Sequence, residues 1–226
     1  MKSVQIAIDG PAASGKTTVA RGVARALHAL YLDTGAMYRA LAYLALHTGT
    51  DAGNGVALAR LARLQPIRVK LDEASPLGFR IFAAGRELSE AMLNSSEVTA
   101  IVSSVAAHPE VREMMVRAQR EAAEGVSVVM AGRDIGTVVL PNADVKIFLD
   151  ASVAARVARR KAQMEAAGTD VDAAQLTEEL AERDRLDRTR KVSPLEPAPG
   201  AHVIDSSDMT VEEVIDEICR LATAVR

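Results

Sequence analysis

The stretch Val4-Gln5-Ile6-Ala7-Ile8-Asp9-Gly10-Pro11-Ala12-Ala13-Ser14-Gly15-Lys16-Thr17-Thr18 determines the fold of this chain. Residues 4–8 form a short apolar run with one polar member, which is typical of a buried parallel strand. Residues 10–17 satisfy the pattern G-x-x-x-x-G-K-[ST], whose glycines permit a tight loop that surrounds phosphate oxygens with backbone N–H groups. Because the pattern follows a strand and precedes a helix, we predict a phosphate-binding loop, or P-loop.

The residues of this loop have separate predicted tasks. The N–H groups of residues 12–17 would point at the phosphates of ATP, and Lys16 would neutralise the β- and γ-phosphates. The Thr17 hydroxyl would join the ligand shell of a Mg²⁺ ion. The alternative is a helix N-terminus that only happens to contain two glycines and a lysine, and the position between strand and helix argues against it. The residues predicted to bind ATP here are Gly10, Pro11, Ala12, Ala13, Ser14, Gly15, Lys16, Thr17 and Thr18.

The residues that follow the P-loop predict a parallel sheet. Apolar residues recur at helical spacing over residues 16–30, a short strand follows at 31–33, and a second helical pattern covers 35–47. Strand, helix and strand in this order form a βαβ unit, which implies a parallel sheet covered on both faces.

The second half of the chain supplies the rest of an α/β fold. Buried strands are predicted at 126–130, 145–149 and 202–205, which brings the parallel sheet to five strands. We therefore expect the three-layer αβα fold of the P-loop NTPases. Helices are predicted at 97–107, at 109–124, from 152 to about 167, up to about 191 in an arginine-rich segment, and after the capping box Thr210-Val211-Glu212-Glu213.

A small antiparallel insert interrupts this pattern. Gly53 and Gly55 indicate a loop, and β-like segments follow at 67–71, 79–83 and 86–88. These segments are too short and too close together to join the parallel sheet by helical crossovers, so we expect them to pair with one another.

Composition and charge describe an ordinary globular protein. Hydrophobic residues make up 49% and charged residues 25% of the 226 residues. The net charge of −3 gives no overall attraction to nucleic acid or to an anionic membrane. No apolar run approaches the ~18 residues of a membrane span, and Met1-Lys2-Ser3 leads straight into a strand. We expect a cytoplasmic monomer that binds neither nucleic acid nor membrane, with the single Cys219 buried as a small hydrophobe.

Arginines at the ends of predicted elements suggest a second anion site. Arg39 lies one turn into the second helix, Arg112 follows Pro109, and Arg133 follows the strand at 126–130. The planar guanidinium binds phosphate through two parallel hydrogen bonds. A P-loop alone would also fit a GTPase switch or a motor ATPase, but the chain contains neither Asn-Lys-x-Asp nor Asp-x-x-Gly. A small phosphotransferase fits these observations better.

The segment at 182–190 holds four further arginines. Arg183, Asp187 and Arg190 would share one helix face, and Arg185 and Arg188 would form a neighbouring pair. A solvated helix with salt bridges is the alternative interpretation. Together with the P-loop, we expect this helix to reach the transferred phosphate. The predicted catalytic residues are Lys16, Arg133, Arg183, Arg185 and Arg190, with no nucleophilic side chain.

Five pieces of the chain, in this order and spacing, resemble the bacterial cytidylate kinase family. They are Ile8 to Thr17, Leu32 to Arg39, Gly132 to Val139, Val145 to Ala151 and Glu182 to Arg190. Members of that family transfer the γ-phosphate of ATP to CMP or dCMP in pyrimidine metabolism. The resemblance implies one P-loop kinase domain over residues 1–226, with residues 65–93 as its enlarged acceptor-binding insert and residues 152–170 as a mobile helical lid.

The resemblance also implies individual roles. Thr34 would contact the acceptor nucleotide, Ser103 and Asp134 would read the edge of cytosine, and Asp187 would touch the sugar hydroxyls. Arg159, in the lid, would contact ATP. The residues implied to bind the acceptor are Thr34, Tyr38, Arg39, Ser103, Arg112, Gly132, Arg133, Asp134, Arg183, Asp187 and Arg190.

One departure from the family concerns the metal. Many members carry an acid just before the Gly-Arg-Asp sequence, whereas this chain has Ala131. Asp33, at the end of a neighbouring strand, is our substitute candidate for the Mg²⁺ shell, and a helix N-cap is its alternative role.

Two rival functions stay open: a related kinase for UMP, AMP or a non-nucleotide acceptor such as shikimate, and a nucleotide-dependent switch or binding protein.

Overall fold

The computed structural model describes residues 3–72, 74–75, 77–166, 168 and 171–225. Its strands are β1 (Gln5–Asp9), β2 (Leu30–Asp33), β3 (Arg68–Leu71), β4 (Phe79–Ala83), β5 (Arg86–Glu87), β6 (Val128–Gly132), β7 (Val145–Asp150) and β8 (His202–Asp205). Its helices are α1 (Lys16–Ala26), α2 (Thr34–Thr48), α3 (Gly55–Leu64), α4 (Glu90–Leu93), α5 (Ser96–Ala107), α6 (Pro109–Ala123), α7 (Val153–Ala166), α8 (Ala173–Thr189) and α9 (Val211–Ala224). A single π-helical turn covers Ile135–Val139.

The two predicted sheets are confirmed. Five strands pair in parallel in the order β2-β6-β1-β7-β8, and β3, β4 and β5 form a separate antiparallel sheet. Helix α1 packs against α9, and α2 packs against α5 and β6. The predicted α/β fold with a small antiparallel insert is therefore correct.

The parallel register brings three loops to one edge of the large sheet. Asp9 of β1 lies beside Gly132 of β6, and Ala131 lies beside Asp33 of β2. The chain therefore leaves β1, β2 and β6 at the same edge. Open parallel sheets bind ligands at this edge, outside the carboxyl ends of the strands.

Two glycines allow the P-loop to leave β1 as it does. Gly10 has φ 152°, and a Cβ atom there would lie 2.1 Å from the carbonyl oxygen of Leu149 on β7. Gly15, the N-cap of α1, has φ 91° in the left-handed region. A side chain at position 10 would push the loop off the sheet, and one at position 15 would strain the backbone.

Two helices were not predicted. The segment after Gly53 was expected to be loop and then strand, but α3 covers ten of those residues, and α4 adds a single turn before α5. The Asn54 side chain accepts a hydrogen bond from the Ala57 N–H and so caps α3. Leu58 and Leu61 on one face of α3 are buried, and this amphipathic spacing is the signal that the nearby glycines obscured.

Two boundaries differ clearly from the prediction. Helix α1 ends at Ala26, four residues early, because His28 adopts φ 51° and the chain then enters β2. Strand β6 begins at Val128, where it pairs with Gln5 of β1, instead of at position 126. The predicted lid at 152–170 corresponds to α7 and the turn after it, and residues 167, 169 and 170 lie outside the described part of the chain.

The insert packs on the large sheet, and helix α8 packs on the P-loop. The rings of Tyr31 and Phe79 lie 6.1 Å apart and join β2 to the insert. Leu176 and Leu180 of α8 pack against Ala12 of the P-loop. Cys219 is half-buried, so the prediction of a fully buried cysteine was too strong. None of the described helices combines the length and the apolar character needed to cross a bilayer.

Candidate functional site

The P-loop provides a buried cation and a helix end without a side-chain cap. Lys16 is 8% exposed, and its Nζ donates to the Pro11 carbonyl oxygen at 2.5 Å and to Ser14 Oγ at 3.3 Å. The first turn of α1 holds no acidic residue and no side-chain cap. The N–H groups of this turn, together with the helix dipole, therefore favour an anion.

The pKa of Lys16 reports how positive this region is. Burial lowers the pKa of Lys16 well below its usual value, and the nearby charges of Arg133 and Arg183 lower it further. An anion bound in the P-loop would reverse this effect, because it would stabilise the charged ammonium group.

The structure brings five of the predicted arginines to the same edge of the sheet as Lys16. Ion pairs with three aspartates hold four of them. Arg39 Nη2 lies 2.6 Å from Asp33 Oδ2, Arg133 Nε lies 2.7 Å from Asp187 Oδ2, and Asp134 pairs with both Arg112 and Arg190. The fifth, Arg183, is close enough to Arg133 and Asp187 for their charges to change its pKa. Each of the five lies in a different part of the chain. They are Arg39 on α2, Arg112 on α6, Arg133 in the loop after β6, Arg183 on α8 and Arg190 directly after α8.

Several guanidinium donors in this cluster are buried without a hydrogen-bond partner among the described residues. They are the Nε atoms of Arg39 and Arg112 and Nη2 of Arg190, which lies 3.8 Å from Asp134 Oδ1. Buried polar atoms are almost always hydrogen-bonded, and leaving one unpaired costs about 1–3 kcal/mol. Burial also lowers the pKa of Arg183 to about 10, with the Arg133 charge as the next cause. The cluster therefore offers donors and positive charge to an anion.

Two buried carboxylates lie among these arginines. Asp134 is 5% exposed; one of its oxygens pairs with Arg112 Nη2, and the other lies 3.8 Å from Arg190 Nη2. Burial acts to raise the pKa of Asp187, but the Arg133 charge and hydrogen bond outweigh burial and hold that pKa below its usual value. Both acids orient guanidinium groups from separate elements, so the cluster is preorganised.

Asp33 is the N-cap of α2, the role that was the alternative to its predicted place in the Mg²⁺ shell. Its Oδ1 accepts the Gly35 N–H at 2.9 Å and so caps α2, and its Oδ2 accepts from Arg39 at 2.6 Å. Burial acts to raise the pKa of Asp33, but the Arg39 charge and its hydrogen bond hold it below the usual value. Asp33 is therefore ionised beside the P-loop, as its electrostatic effect on Lys16 shows.

These donors fit a magnesium ion that is held mainly by phosphates. Within the described residues no group of three His, Cys, Asp or Glu side chains could hold a metal. Mg²⁺ in phosphotransfer sites usually takes one or two protein oxygens, substrate phosphates and several waters. The exposed Thr17 hydroxyl and the ionised Asp33 suit that type of site.

Thr34 and Gly132 lie in contact at the carboxyl ends of β2 and β6, beside the cluster. The Thr34 hydroxyl is buried and donates to the Ala131 carbonyl oxygen at 3.0 Å, which leaves its lone pairs free to accept. A Cβ atom at Gly132 would lie 2.6 Å from Thr34 Oγ1, so no larger residue fits there. Ser103 is half-buried on α5.

Arg185 was predicted to be catalytic, but its side chain lies outside the arginine cluster. Its side chain is 60% exposed and pairs with Glu182 at 2.6 Å on the outer surface of α8. Two residues along a helix correspond to a rotation of about 200°, so Arg185 points away from the face that carries Arg183. We therefore remove Arg185 from the catalytic group. Arg190 lies just beyond the last residue of α8 and reaches the cluster through an extended backbone, with its Nε donating to the Ser193 carbonyl oxygen.

Arg159 lies beside the P-loop, and its predicted contact with ATP stays a prediction. Its Nη1 donates to Ser206 Oγ at 3.1 Å and to the Ser14 carbonyl oxygen at 3.4 Å. Arg159 therefore links α7 to the P-loop and to the loop after β8.

Two buried charged residues were missed. Arg156 is 4% exposed, donates to the Ala12 carbonyl oxygen at 3.2 Å and pairs with Asp184 of α8 at 2.7 Å. Asp9 is 2% exposed and ends β1 directly before the P-loop. An acid inside an otherwise apolar strand was the available signal for Asp9, whereas the pattern of α7 holds no comparable signal for Arg156.

A cavity of about 910 Å³ lies outside this site. It runs along α6 and the π-helical turn towards the start of β1, and Arg112 is the one predicted site residue on its wall. The P-loop does not line it, so cavity size does not identify the phosphate site.

Comparisons with known proteins agree with this geometry. The sequence profile of a family described as cytidylate kinase matches residues 6–224. A cytidylate kinase of Geobacillus kaustophilus is 49% identical over 220 residues, which cover 97% of this chain and 96% of the relative. A cytidylate kinase of Pelotomaculum thermopropionicum is 48% identical over 221 residues, with 98% and 96% covered. An uncharacterized protein of known structure from Eubacterium ventriosum matches with a TM-score of 0.53 at 14% identity, covering 98% of this chain and 99% of the other, and this likeness concerns the fold alone.

Proposed function

The chain belongs to the cytidylate kinase family, and from this premise we propose that it transfers the γ-phosphate of ATP to CMP or dCMP, giving CDP or dCDP. The observation that carries the proposal is a set of guanidinium nitrogens beside an uncapped P-loop, on Arg39, Arg112 and Arg190. They are buried and have no hydrogen-bond partner among the described residues. A donor phosphate and an acceptor phosphate would occupy these two neighbouring positive regions.

The donor side is formed by the P-loop and the lid. Residues 10–18 would hold the phosphates of ATP through backbone N–H groups, and Lys16 would neutralise the β- and γ-phosphates. Arg159 would contact ATP from α7. A magnesium ion bound by Thr17 and, through water, by Asp33 would supply charge neutralisation at the phosphates.

The acceptor side is formed by the arginine cluster. Arg39, Arg112 and Arg133 would bind the phosphate of CMP, with Tyr38 packing beneath Arg112. Asp134 and Ser103 would read the amino group and ring edge of cytosine, and Thr34 would contact the nucleotide next to Gly132. Asp187 would accept hydrogen bonds from the sugar hydroxyls while it keeps its contact with Arg133.

Catalysis would come from charge stabilisation, because phosphoryl transfer needs little covalent chemistry from the protein. Lys16, Arg133, Arg183 and Arg190 would surround the phosphoryl group as negative charge spreads over its oxygens. The acceptor phosphate oxygen would attack the γ-phosphorus in line with the departing ADP. Packing of α8 on the P-loop through Leu176 would exclude water, which otherwise would accept the phosphoryl group.

The remaining parts of the proposal concern organisation. We propose one kinase domain over residues 1–226, in which residues 65–93 close on the acceptor and residues 152–170 form the lid. We also propose that the protein acts in the cytoplasm as a monomer, with Mg²⁺ and without nucleic acid or membrane.

A coupled assay of ADP release tests the function. The acceptors are CMP, dCMP, UMP, AMP and shikimate, with ATP and Mg²⁺ alone as the blank. We expect turnover with CMP or dCMP that exceeds turnover with the other acceptors at least tenfold. Higher turnover with UMP, AMP or shikimate would assign a different acceptor, and ADP release that ignores every acceptor would favour a switch.

A pair of variants tests the site in the same assay. Lys16→Ala should lower kcat at least 10²-fold while the protein keeps its fold, because a charge aimed at the transferred phosphate is lost. The control is Arg220→Ala, since Arg220 is an exposed cation on α9, outside the P-loop, the insert and the proposed lid. Near-normal turnover by Lys16→Ala would refute the donor site.

A further inference from the structure

Asp9 joins the two halves of the site at a point that the nucleotides would not touch. It is the last residue of β1 and directly precedes Gly10 of the P-loop. Its Oδ1 accepts the Ile135 N–H at 2.7 Å, and its Oδ2 accepts the Gly136 N–H at 2.7 Å. Both hydrogen bonds are buried, and Asp9 is in none of the close ion pairs of the described residues.

The two N–H groups belong to the loop that carries the acceptor residues. Ile135 and Gly136 begin the π-helical turn directly after Arg133 and Asp134. The side chain of Asp134 does not cap this turn, because its oxygens pair with arginines instead. Asp9 therefore performs from the neighbouring strand the task that an N-cap side chain usually performs.

There is little room for this loop to shift. A Cβ atom at Gly136 would lie 3.0 Å from the Cβ of Ala198 and 3.5 Å from Asp9 Oδ2. The loop is thus confined between the Asp9 carboxylate and the segment after α8.

We propose that Asp9 is a positioning residue, whose two carboxylate oxygens fix Arg133 and Asp134 relative to the P-loop and so set the distance between acceptor and donor phosphates. The proposal rests on the proposed function. An ionised carboxyl provides an acceptor for each N–H group, whereas an amide or a protonated carboxyl turns one of its two polar atoms into a donor.

The environment of Asp9 indicates that its ionised carboxylate does not stabilise the folded protein. Burial raises the pKa of Asp9 to about 6, against the lowering effect of the two backbone hydrogen bonds. The charged groups around it are Asp134, which raises this pKa, and Lys16, which lowers it, while Lys146 lies beside Gly136. Ionised Asp9 therefore costs stability at neutral pH, and a role in positioning accounts for that cost.

The test compares Asp9→Asn with Asp144→Asn. Asp144 is a matched control because its Oδ2 accepts the Gln5 N–H at 2.9 Å at the opposite end of the same strand. At pH 7.5 we expect Asp9→Asn to lower kcat/KM for CMP at least tenfold and to leave the KM for ATP within about threefold. Asp144→Asn should keep both parameters within about twofold. An unchanged kcat/KM for CMP, or a KM for ATP that rises as much as kcat/KM for CMP falls, would overturn the proposal.

The pH profile separates positioning from a general loss of packing. We expect the ratio of wild-type to Asp9→Asn kcat/KM for CMP to fall towards one below pH 6, where wild-type Asp9 is itself protonated. The phosphate of CMP titrates in the same range, at about pH 6, but it does so for both proteins and cancels in the ratio. A ratio that stays constant from pH 5 to 8 would refute positioning by the carboxylate.

Amide hydrogen exchange gives a readout that does not depend on the reaction. Asp9→Asn should exchange at Ile135 and Gly136 at least tenfold faster than wild type, while the Gln5 amide is unchanged. If wild-type protein fails to phosphorylate CMP, the proposed function fails, and the exchange result still decides whether Asp9 holds the loop. If Asp9→Asn does not fold, Gly136→Ala is tested instead, since its Cβ would displace the loop from Asp9. This variant should lower kcat/KM for CMP and leave the KM for ATP nearly unchanged.

Discussion

The buried carboxyl of Asp9 makes the stability of this protein depend on pH in an unusual direction. Its pKa is raised from an ordinary value of 3.8 to about 6 in the folded protein. Between these values the folded state binds more protons at Asp9 than the unfolded state does, so the free energy of unfolding falls as pH rises. A difference of about two pKa units corresponds to about 3 kcal/mol, at 1.36 kcal/mol per unit. We therefore expect Asp9 to reduce stability by this amount between pH 4 and pH 7.

Urea unfolding of wild type, Asp9→Asn and Asp144→Asn at half-unit steps from pH 4 to 7.5 measures this effect. The free energy of unfolding of wild type minus that of Asp9→Asn should fall by about 2–3 kcal/mol over the range. Other groups titrate in both proteins, so their contributions cancel in the difference. A constant difference would show that Asp9 has an ordinary pKa in the folded protein, and a difference that rises with pH would show a lowered pKa; either result would refute the reasoning from burial.

Three further predictions concern the site. Arg183→Ala should lower kcat about 10²-fold or more, whereas Arg185→Ala should change it less than twofold, because Arg185 is exposed and pairs with Glu182 away from the cluster. Steady-state kinetics with CMP compares the two variants, and equal losses would restore Arg185 to the site. Asp134→Asn should reduce the preference for CMP over UMP about tenfold or more, because a site that pairs with a substrate N–H rejects analogues that lack it. An unchanged ratio of the kcat/KM values for CMP and UMP would count against this role. Gly10→Ala should abolish ATP binding, measured by calorimetry, because its Cβ would overlap the Leu149 carbonyl oxygen. Normal affinity for ATP would mean that the P-loop can move away from β7 without losing its function.

The lid contacts relate the conformation of the protein to the proposed reaction. Arg156 links the P-loop to Asp184 on α8, and Leu176 packs on Ala12. Both contacts place α8 over the donor loop, where Arg183 lies close to Lys16. The electrostatic repulsion between these two cations would be relieved by the phosphates of ATP, so binding and closure would favour each other.

Local patterns predicted the fold well where the local signal was strong. The P-loop, the five parallel strands and the capping box at Thr210 follow from residues within about ten positions of one another, and the structure contains all of them. Helix α3 was missed because Gly53 and Gly55 suggested a loop, although the apolar spacing of α3 favoured a helix. Cys219 was expected to be buried, but it lies at the edge of the apolar face of α9 and is half-buried.

The arginine cluster was partly predictable. Spacing placed Arg183 and Asp187 on one helix face, and the structure has both at the site. Spacing could not decide which face of α8 is turned towards the sheet, and so Arg185 was assigned to the site although it points into solvent. Asp33 is a helix cap, which its sequence position allowed as one of two roles.

The sequence by itself predicted a phosphate-binding loop between β1 and α1, because glycine conformations and helix ends are properties of short segments. The tertiary structure alone decided which residues complete the site. Asp9 and Ile135 are 126 positions apart, and Arg112 and Asp134 are 22 apart; only the parallel pairing of β1 with β6 and the packing of α6 bring them into contact. Burial then sets their charges, because desolvation depends on every element packed around a group and not on its neighbours in the chain.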